Sequence, residues 1–240
     1  MARGVDKAEQ FVLTGGSAGG LSTFLHADRV LARVRAASPG VKAWAAPVVG
    51  YFLDHDNFGH TTGVPNTPSW ADANYTAKMQ YIYGMQNLTF GADGGLTAAC
   101  QAKHADAPHL CFMSPHMVDV VETNLYVFNS KYDAWQLQNE LQTKWDTPAE
   151  QAAVKAYGND FMHDFEPAGT NKNGGFITSC ICHGCPWDKL TFEGNKTAYE
   201  YYADWANSRD FPRQPKSLVV DSRGPNGDGD LTFSECAPFP

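Results

Sequence analysis

The sequence predicts an α/β fold built on a mostly parallel sheet, and three stretches carry that expectation. "FVLTGGSAGGLSTFL", Phe11 to Leu25, runs from a short apolar strand (Glu9 to Thr14) through a glycine turn into a helix-like pattern. "VKAWAAPVVGYFLD", Val41 to Asp54, reads as a second buried strand followed by a loop. "TNLYVFNS", Thr123 to Ser130, is apolar and rich in β-branched and aromatic residues, as a strand covered on both faces must be.

The elements between and after these strands follow from punctuation. The run "LSTFLHADRVLARVRA" spaces its apolar residues three and four apart and stops before Ser38-Pro39-Gly40, which predicts an amphipathic helix. Ala71 to Gln86 reads as a helix, and the stretch from Gly91 to Cys111 as irregular chain bracketed by Cys100 and Cys111. A helix begins at or just after Asp133. Another is announced by Thr147-Pro148-Ala149-Glu150, with Thr147 as N-cap, Pro148 at the first helical position and Glu150 closing a capping box. That helix is expected to end near Tyr157. A strand from Gly175 to about Cys180 then leads into a turn holding His183.

Composition bounds the function. The chain of 240 residues is long enough to bury its own core, and residues 1–240 are read as one domain. A net charge of −8 argues against a nucleic-acid or anionic-membrane surface, since both require clustered positive charge. No uninterrupted apolar stretch is long enough to cross a bilayer. The 6 cysteines and the sequons at Asn74, Asn87 and Asn195 suggest an oxidising, secretory setting. The opening "MARGVDKAEQ" has no apolar run of the kind that directs export.

The chemistry centres on Gly15-Gly16-Ser17-Ala18-Gly19, a G-x-S-x-G motif placed between strand and helix. A serine hydroxyl is a poor nucleophile at neutral pH. It needs a histidine to take its proton and a carboxylate to fix that histidine's tautomer. In hydrolases with this elbow the order along the chain is serine, acid, histidine, each after a strand. Asp133 and His183 satisfy both order and context, and the amide of Ala18 is the expected oxyanion donor. Taken singly, Asp133 reads as a helix N-cap and His183 as a structural residue.

With these residues in view, the chain resembles the pectin acetylesterase and Notum-like carboxylesterases. The resemblance is carried by "LTGGSAGGLSTFLHAD", "FNSKYDAWQ", "ITSCICHGC" and "GNKT", and spans about Gln10 to Trp205. It implies an α/β-hydrolase-like three-layer sandwich with a mostly parallel central sheet. On that match Ser17 is the nucleophile, Asp133 the acid and His183 the base. "GYFLD", Gly50 to Asp54, is similar to a family segment beside the acyl pocket. The resemblance also implies a Cys100–Cys111 bridge, no cofactor, and an acyl ester such as an acetylated polysaccharide as substrate, with removal of a lipid acyl from a protein as the nearest variant, and a secreted or cell-wall location. Family members carry a long region before the elbow, including a Gly-Gly-Gly-Trp-like oxyanion loop. The expectation is therefore an N-terminally truncated enzyme in which Ala18 is the remaining donor and the elbow strand lies at an exposed sheet edge.

Rival readings rest on other residues. Cys100, His104, His109 and Cys111, or Cys180, Cys182, His183 and Cys185, could be drawn as zinc sites, but neither set has paired C-x2-C knuckles, and disulfides are preferred. Cys180, Cys182, Cys185 and Cys236 leave their pairing open. "NGDGDLTFSE" places Asn226, Asp228, Gly229 and Glu235 at EF-hand-like spacing but lacks the first acidic ligand, so it is read as a solvated acidic turn, with calcium binding the alternative. "YEYYADW", Tyr199 to Trp205, is read as one face of a packed helix, with a carbohydrate platform as the alternative. The contrasting function is a non-catalytic extracellular binding or metal-stabilised module that keeps the elbow as scaffold.

Overall fold

The structure is a computed structural model that describes residues 4–59, 73–86, 97–169, 173–192, 195–208 and 218–220. In chain order the elements are β1 (Gln10–Gly16), α1 (Ala18–Ala37), β2 (Lys42–Val48), α2 (Tyr75–Met85), α3 (Ala98–Lys103), α4 (Ser114–Met117), β3 (Tyr126–Ser130), α5 (Ala134–Asn139), α6 (Pro148–Gly169), β4 (Gly174–Thr178), β5 (Thr191–Phe192), β6 (Lys196–Thr197), α7 (Ala198–Asn207) and β7 (Leu218–Val220). A 5-stranded sheet has the order β1-β2-β3-β4-β7, every neighbouring pair parallel, while β5 and β6 form a small antiparallel hairpin. Among the described residues β1 is an edge strand, and its Val12 is 36% exposed.

Alternation along the central strands divides the core into two layers. Leu125 and Val127 point to the side of α1 and α6, where the Tyr51 ring meets Phe24, Phe161 and Phe165 edge-on at 6.0, 5.3 and 5.0 Å. Tyr126 and Phe128 point the other way, towards Trp205 of α7 and the cysteine-bearing loop after β4. This gives the three layers expected of an α/β-hydrolase-like fold. No helix among the described residues is long and apolar enough to cross a membrane.

Several expectations need correction. The helix beginning at Thr147 has the capping box foreseen, with the Glu150 amide donating to Thr147 Oγ1 at 3.3 Å and the Thr147 amide to Glu150 Oε2 at 2.9 Å. It does not stop near Tyr157 but runs to Gly169. Gly158-Asn159-Asp160 looks like a stop signal in sequence. In the fold, Gly158 lets the Tyr132 ring lie against the helix, where an added Cβ would come within 2.2 Å of that ring, and Phe161 and Phe165 continue the buried face. The chain between Gly91 and Cys111, read as irregular, contains α3 within its described part and a 3-10 turn over Pro108–Phe112 that begins there. The strand and following loop expected over Val41 to Asp54 are present, and the strand ends at Val48 because Val49 adopts φ 42, a conformation a β-branched residue rarely takes. β7 and the β5–β6 hairpin were not foreseen.

Cys100 is bonded to Cys111, as the resemblance implied, and Cys182 to Cys185, while Cys180 is also disulfide-bonded. These bonds remove the thiolates from both zinc arrangements drawn above. Of the sequons, Asn74 is the N-cap of α2 and its side-chain nitrogen donates to Asp56 at 3.2 Å, Asn195 is exposed with φ 59, and Asn87 lies outside the described residues. The EF-hand-like segment from Asn226 to Glu235 also lies outside them. Tyr199 to Trp205 form part of α7, with Trp205 buried and Tyr199 half exposed, as a packed helix requires.

Candidate active site

Parallel strands point their carboxyl ends to one edge of the sheet, and that edge collects the site. Ser17 follows the last residue of β1, Asp133 lies a short turn beyond β3, and His183 lies on the loop beyond β4. Ser17 sits at φ 57, ψ −123, outside the regions that L-residues favour. Such a conformation costs of order 1–3 kcal/mol and persists only where its surroundings over-determine it. Here the Ser17 amide donates to the Val48 carbonyl at 3.0 Å, and the next residues are already helical.

Small residues make this turn possible. A Cβ on Gly15 would lie 2.5 Å from the Gly19 carbonyl oxygen. One on Gly20 would lie 2.6 Å from the Val48 carbonyl oxygen and 2.8 Å from Gly50 Cα, and one on Gly50 would lie 2.3 Å from the Gly20 carbonyl carbon. The start of α1 is thus pressed backbone to backbone against the end of β2. The sequence motif foretold Gly15 and Gly19, whereas the Gly20–Gly50 contact joins residues thirty apart and has no local signature.

The three polar side chains meet. His183 Nε2 lies 2.8 Å from Ser17 Oγ, and His183 Nδ1 lies 2.9 Å and 2.8 Å from the two oxygens of Asp133. An ionised carboxylate only accepts, so this contact puts the imidazole proton on Nδ1 and leaves Nε2 free to accept from the serine hydroxyl. Asp133 is 0% exposed and also caps α5, with Oδ1 accepting from the amides of Trp135 at 3.0 Å and Gln136 at 3.1 Å. One Asp133 side chain therefore both caps α5 and contacts His183 Nδ1.

Second contacts hold the acid and base loops to each other. The Ser130 hydroxyl donates to the Cys180 carbonyl and accepts from the Tyr132 amide at 3.0 Å, and the Lys131 amide donates to the Thr178 carbonyl at 3.0 Å. The Cys182–Cys185 bond brackets His183, and the rings of Phe52 and Trp135 stand 6.4 Å and 6.3 Å from its imidazole. Ala18 is the first residue of α1, so its amide is one of the donors a helix leaves without an intrahelical partner, beside the serine hydroxyl.

A cavity of 520 Å³ opens in front of Ser17 and Ala18. Leu21, Phe52, Tyr75, Met79, Ile82 and Phe112 give it an apolar wall, and Lys78, Trp135 and Asn139 complete it. Phe52 belongs to the segment flagged by resemblance. The α2 residues, Phe112, Trp135 and Asn139 were not anticipated, since an apolar helix face carries the same pattern whether it lines a cavity or a core.

Behind the site, Glu140 is wholly buried. Burial pushes its carboxyl well above the ordinary carboxylate range, outweighing the lowering effect of the Tyr157 hydroxyl, and the charge of Asp133 adds to the rise. The Tyr157 hydroxyl lies 2.7 Å from Gln136 Oε1 and 2.8 Å from Glu140 Oε2, yet has only one proton to give, so a protonated Glu140 satisfies the second contact. A group whose folded pKa is raised contributes stability that is complete below its unfolded pKa and is lost as pH rises through the folded value. Glu140→Gln, which stays neutral, is expected to flatten the fall in Tm between mildly acidic and alkaline pH. An unchanged slope in thermal unfolding would show that Glu140 is ionised in the folded state.

The sheet order, the elbow and the Ser17–His183–Asp133 contact define an α/β-hydrolase-like protein. Residues 1–213 match the family model described as Pectinacetylesterase, and the chain belongs to that family. It is 25% identical over 213 residues to "Pectin acetylesterase 11" of Arabidopsis thaliana, covering 82% of this chain and 49% of that protein. It is 28% identical over 249 residues to "Pectin acetylesterase 5" of the same plant, covering 91% of this chain and 51% of the relative. The chain thus spans about half the length of the curated relatives it matches. Among solved structures it is similar in fold to the Wnt deacylase Notum from Drosophila, with a TM-score of 0.70 at 19% identity over 88% of this chain and 55% of that one.

Proposed function

We propose that the chain acts as a serine carboxylesterase that removes O-acetyl groups from a polysaccharide. The observation that carries this reading is the 2.8 Å contact between His183 Nε2 and Ser17 Oγ, with His183 oriented from its other nitrogen by buried Asp133. Ser17 Oγ attacks the ester carbonyl as His183 Nε2 takes its proton. The Ala18 amide donates to the oxygen that becomes negative. His183 returns the proton to the departing sugar hydroxyl, leaving an acetyl-serine. Water, deprotonated by the same nitrogen, then attacks that ester and releases acetate and free Ser17. Asp133 stays ionised throughout and stabilises the imidazolium. None of these steps calls on a cofactor or metal, and the whole chain works as one esterase domain.

The polysaccharide and its acetyl group are supported by the family and by the names of the Arabidopsis relatives. The disulfides support a secreted or cell-wall location. One observation favours a second reading, removal of a longer acyl group from a protein: the cavity of 520 Å³ has an apolar wall far larger than an acetyl methyl needs. A series of p-nitrophenyl esters from acetate to decanoate separates the two. The acetylesterase reading predicts the highest kcat/KM for acetate. A maximum at octanoate or decanoate replaces it with the long-chain reading, since each buried methylene adds about 0.8 kcal/mol of binding.

A further inference from the structure

The apolar wall of the cavity before Ser17 comes from separate pieces of chain, notably Phe52 after β2, Tyr75, Met79 and Ile82 on α2, and Phe112 in the turn before α4. The spacing of the three α2 residues, four and then three, puts them on one helix face, so α2 meets the cavity along a single stripe. Apolar contact is non-directional and does not by itself fix the distance between such pieces. Polar contacts behind the wall do.

The segment that carries Phe52 is held by buried amides. The Tyr51 amide donates to Asn129 Oδ1 at 3.1 Å, the Leu53 amide to Gln136 Oε1 at 3.0 Å, and Gln136 Nε2 to the Tyr51 carbonyl at 3.0 Å. At its start the Gly50 carbonyl accepts from Ser114 Oγ of α4 at 2.6 Å. At its end stands Asp54, whose carboxylate reaches two further pieces. Asp54 Oδ2 lies 2.9 Å from His116 Nε2 of α4, and Asp54 Oδ1 accepts from the Thr76 hydroxyl of α2. Each oxygen serves one wall.

Burial works against ionisation of Asp54, yet the hydrogen bonds from His116 and Thr76 and the charges of His116 and His109 hold its carboxyl below the ordinary carboxylate range. An ionised carboxylate only accepts, so His116 carries a proton on Nε2 and both contacts are charge-assisted. The side chains of His116 and Asp54 are 24% and 26% exposed, which leaves the pair only partly screened by solvent. Asp54, Thr76 and His116 are not among the described residues that line the cavity. Thr76 nevertheless directly follows Tyr75, whose ring stands 6.2 Å from that of Phe52 across the wall.

We propose that Asp54 is a positioning residue that, through Thr76 and His116, fixes the spacing of the cavity's apolar walls and so sets how the enzyme discriminates between short and long acyl groups. The inference rests on the esterase reading above and deepens it by naming a residue that governs acyl selectivity without touching a reacting atom. An acetyl group needs only the space beside Ser17, so its turnover is indifferent to the exact place of α2. An octanoyl or decanoyl chain must lie along Tyr75, Met79 and Ile82. A gap of about 0.5–1 Å there already forfeits roughly a quarter to a half of each contact.

Thr76→Val keeps the shape of the side chain and removes its hydroxyl, whereas Thr76→Ser keeps the hydroxyl. On p-nitrophenyl octanoate, Thr76→Val is expected to raise KM about fourfold, the worth of one buried methylene, with kcat unchanged and acetate hydrolysis unaltered. Thr76→Ser should restore the original KM. Asp54→Ala, which loses both contacts, should shift KM further in the same direction, and melting curves show that each variant is folded. A parallel measurement avoids turnover: decanoate is titrated calorimetrically into Ser17→Ala, and its affinity should fall about fourfold when Thr76→Val is added. Equal losses on acetate and octanoate, an unchanged octanoate KM or decanoate affinity, failure of Thr76→Ser to restore them, or absence of decanoate binding overturns the proposal. A chain that binds decanoate with the expected pattern but hydrolyses no ester upholds the role of Asp54 and overturns the esterase reading instead.

Discussion

Replacing Ser17 with alanine is expected to lower kcat on p-nitrophenyl acetate by about 10⁴- to 10⁶-fold and to leave the fold intact. The hydroxyl makes no capping hydrogen bond to α1, so the helix loses nothing when the oxygen is removed. Asp133→Asn is the sharper companion, because the aspartate has two roles that this change separates. An asparagine oxygen still caps α5 through the amides of Trp135 and Gln136. Its NH₂ group, however, would face His183 Nδ1 as a donor and move the imidazole proton to Nε2, where it blocks acceptance of the serine proton. A loss of roughly 10³- to 10⁴-fold in kcat with little change in Tm is the expected result. Near-normal turnover by Asp133→Asn would mean that the carboxylate is only a helix cap.

The second large effect is expected in the backbone. Gly20→Ala or Gly50→Ala should destabilise the protein by about 3 kcal/mol or more, since neither added methyl has a flexible neighbour to displace. Both would strike main-chain atoms, at 2.6 Å and 2.3 Å respectively. Relief requires α1 to move away from the end of β2, which would carry Ser17 and the Ala18 amide with it. Activity should therefore fall further than the loss of folded protein explains, as measured by urea unfolding beside kcat per folded molecule. Gly16→Ala is the control: a Cβ there meets nothing within 4 Å and should cost far less.

How much of this was readable in advance depended on whether a feature is local in the chain. Ser17, Asp133 and His183 each stand at a strand end within a recognisable turn, so order and context sufficed to bring together residues whose contacts span 166 and 50 positions. The capping box at Thr147 and the buried strand through Phe128 were legible for the same reason. The walls of the cavity were not, because Tyr75, Met79 and Ile82 come from a helix whose apolar face carries no sign of what it covers. The close approach of Gly20 and Gly50 was equally hidden: a glycine in sequence does not say which backbone it admits. Local signals also misled where packing overrode them. Gly158 reads as a helix end, but tertiary contact with Tyr132 and the buried Phe161 and Phe165 carry α6 through it. The strand-then-loop reading of Val41 to Asp54 did not say where one passes into the other; that point is Val49, where the chain turns to send Tyr51 into the core and Phe52 into the cavity.

The central claim is that Ser17 is a nucleophile activated by His183, and covalent labelling tests it most directly. The chain is incubated with a fluorophosphonate and its peptides are mapped by mass spectrometry. The account predicts one phosphonate adduct, on the peptide carrying Ser17, absent from Ser17→Ala and strongly slowed in His183→Ala. A folded chain that stays unlabelled, or that is labelled at another residue, would contradict it.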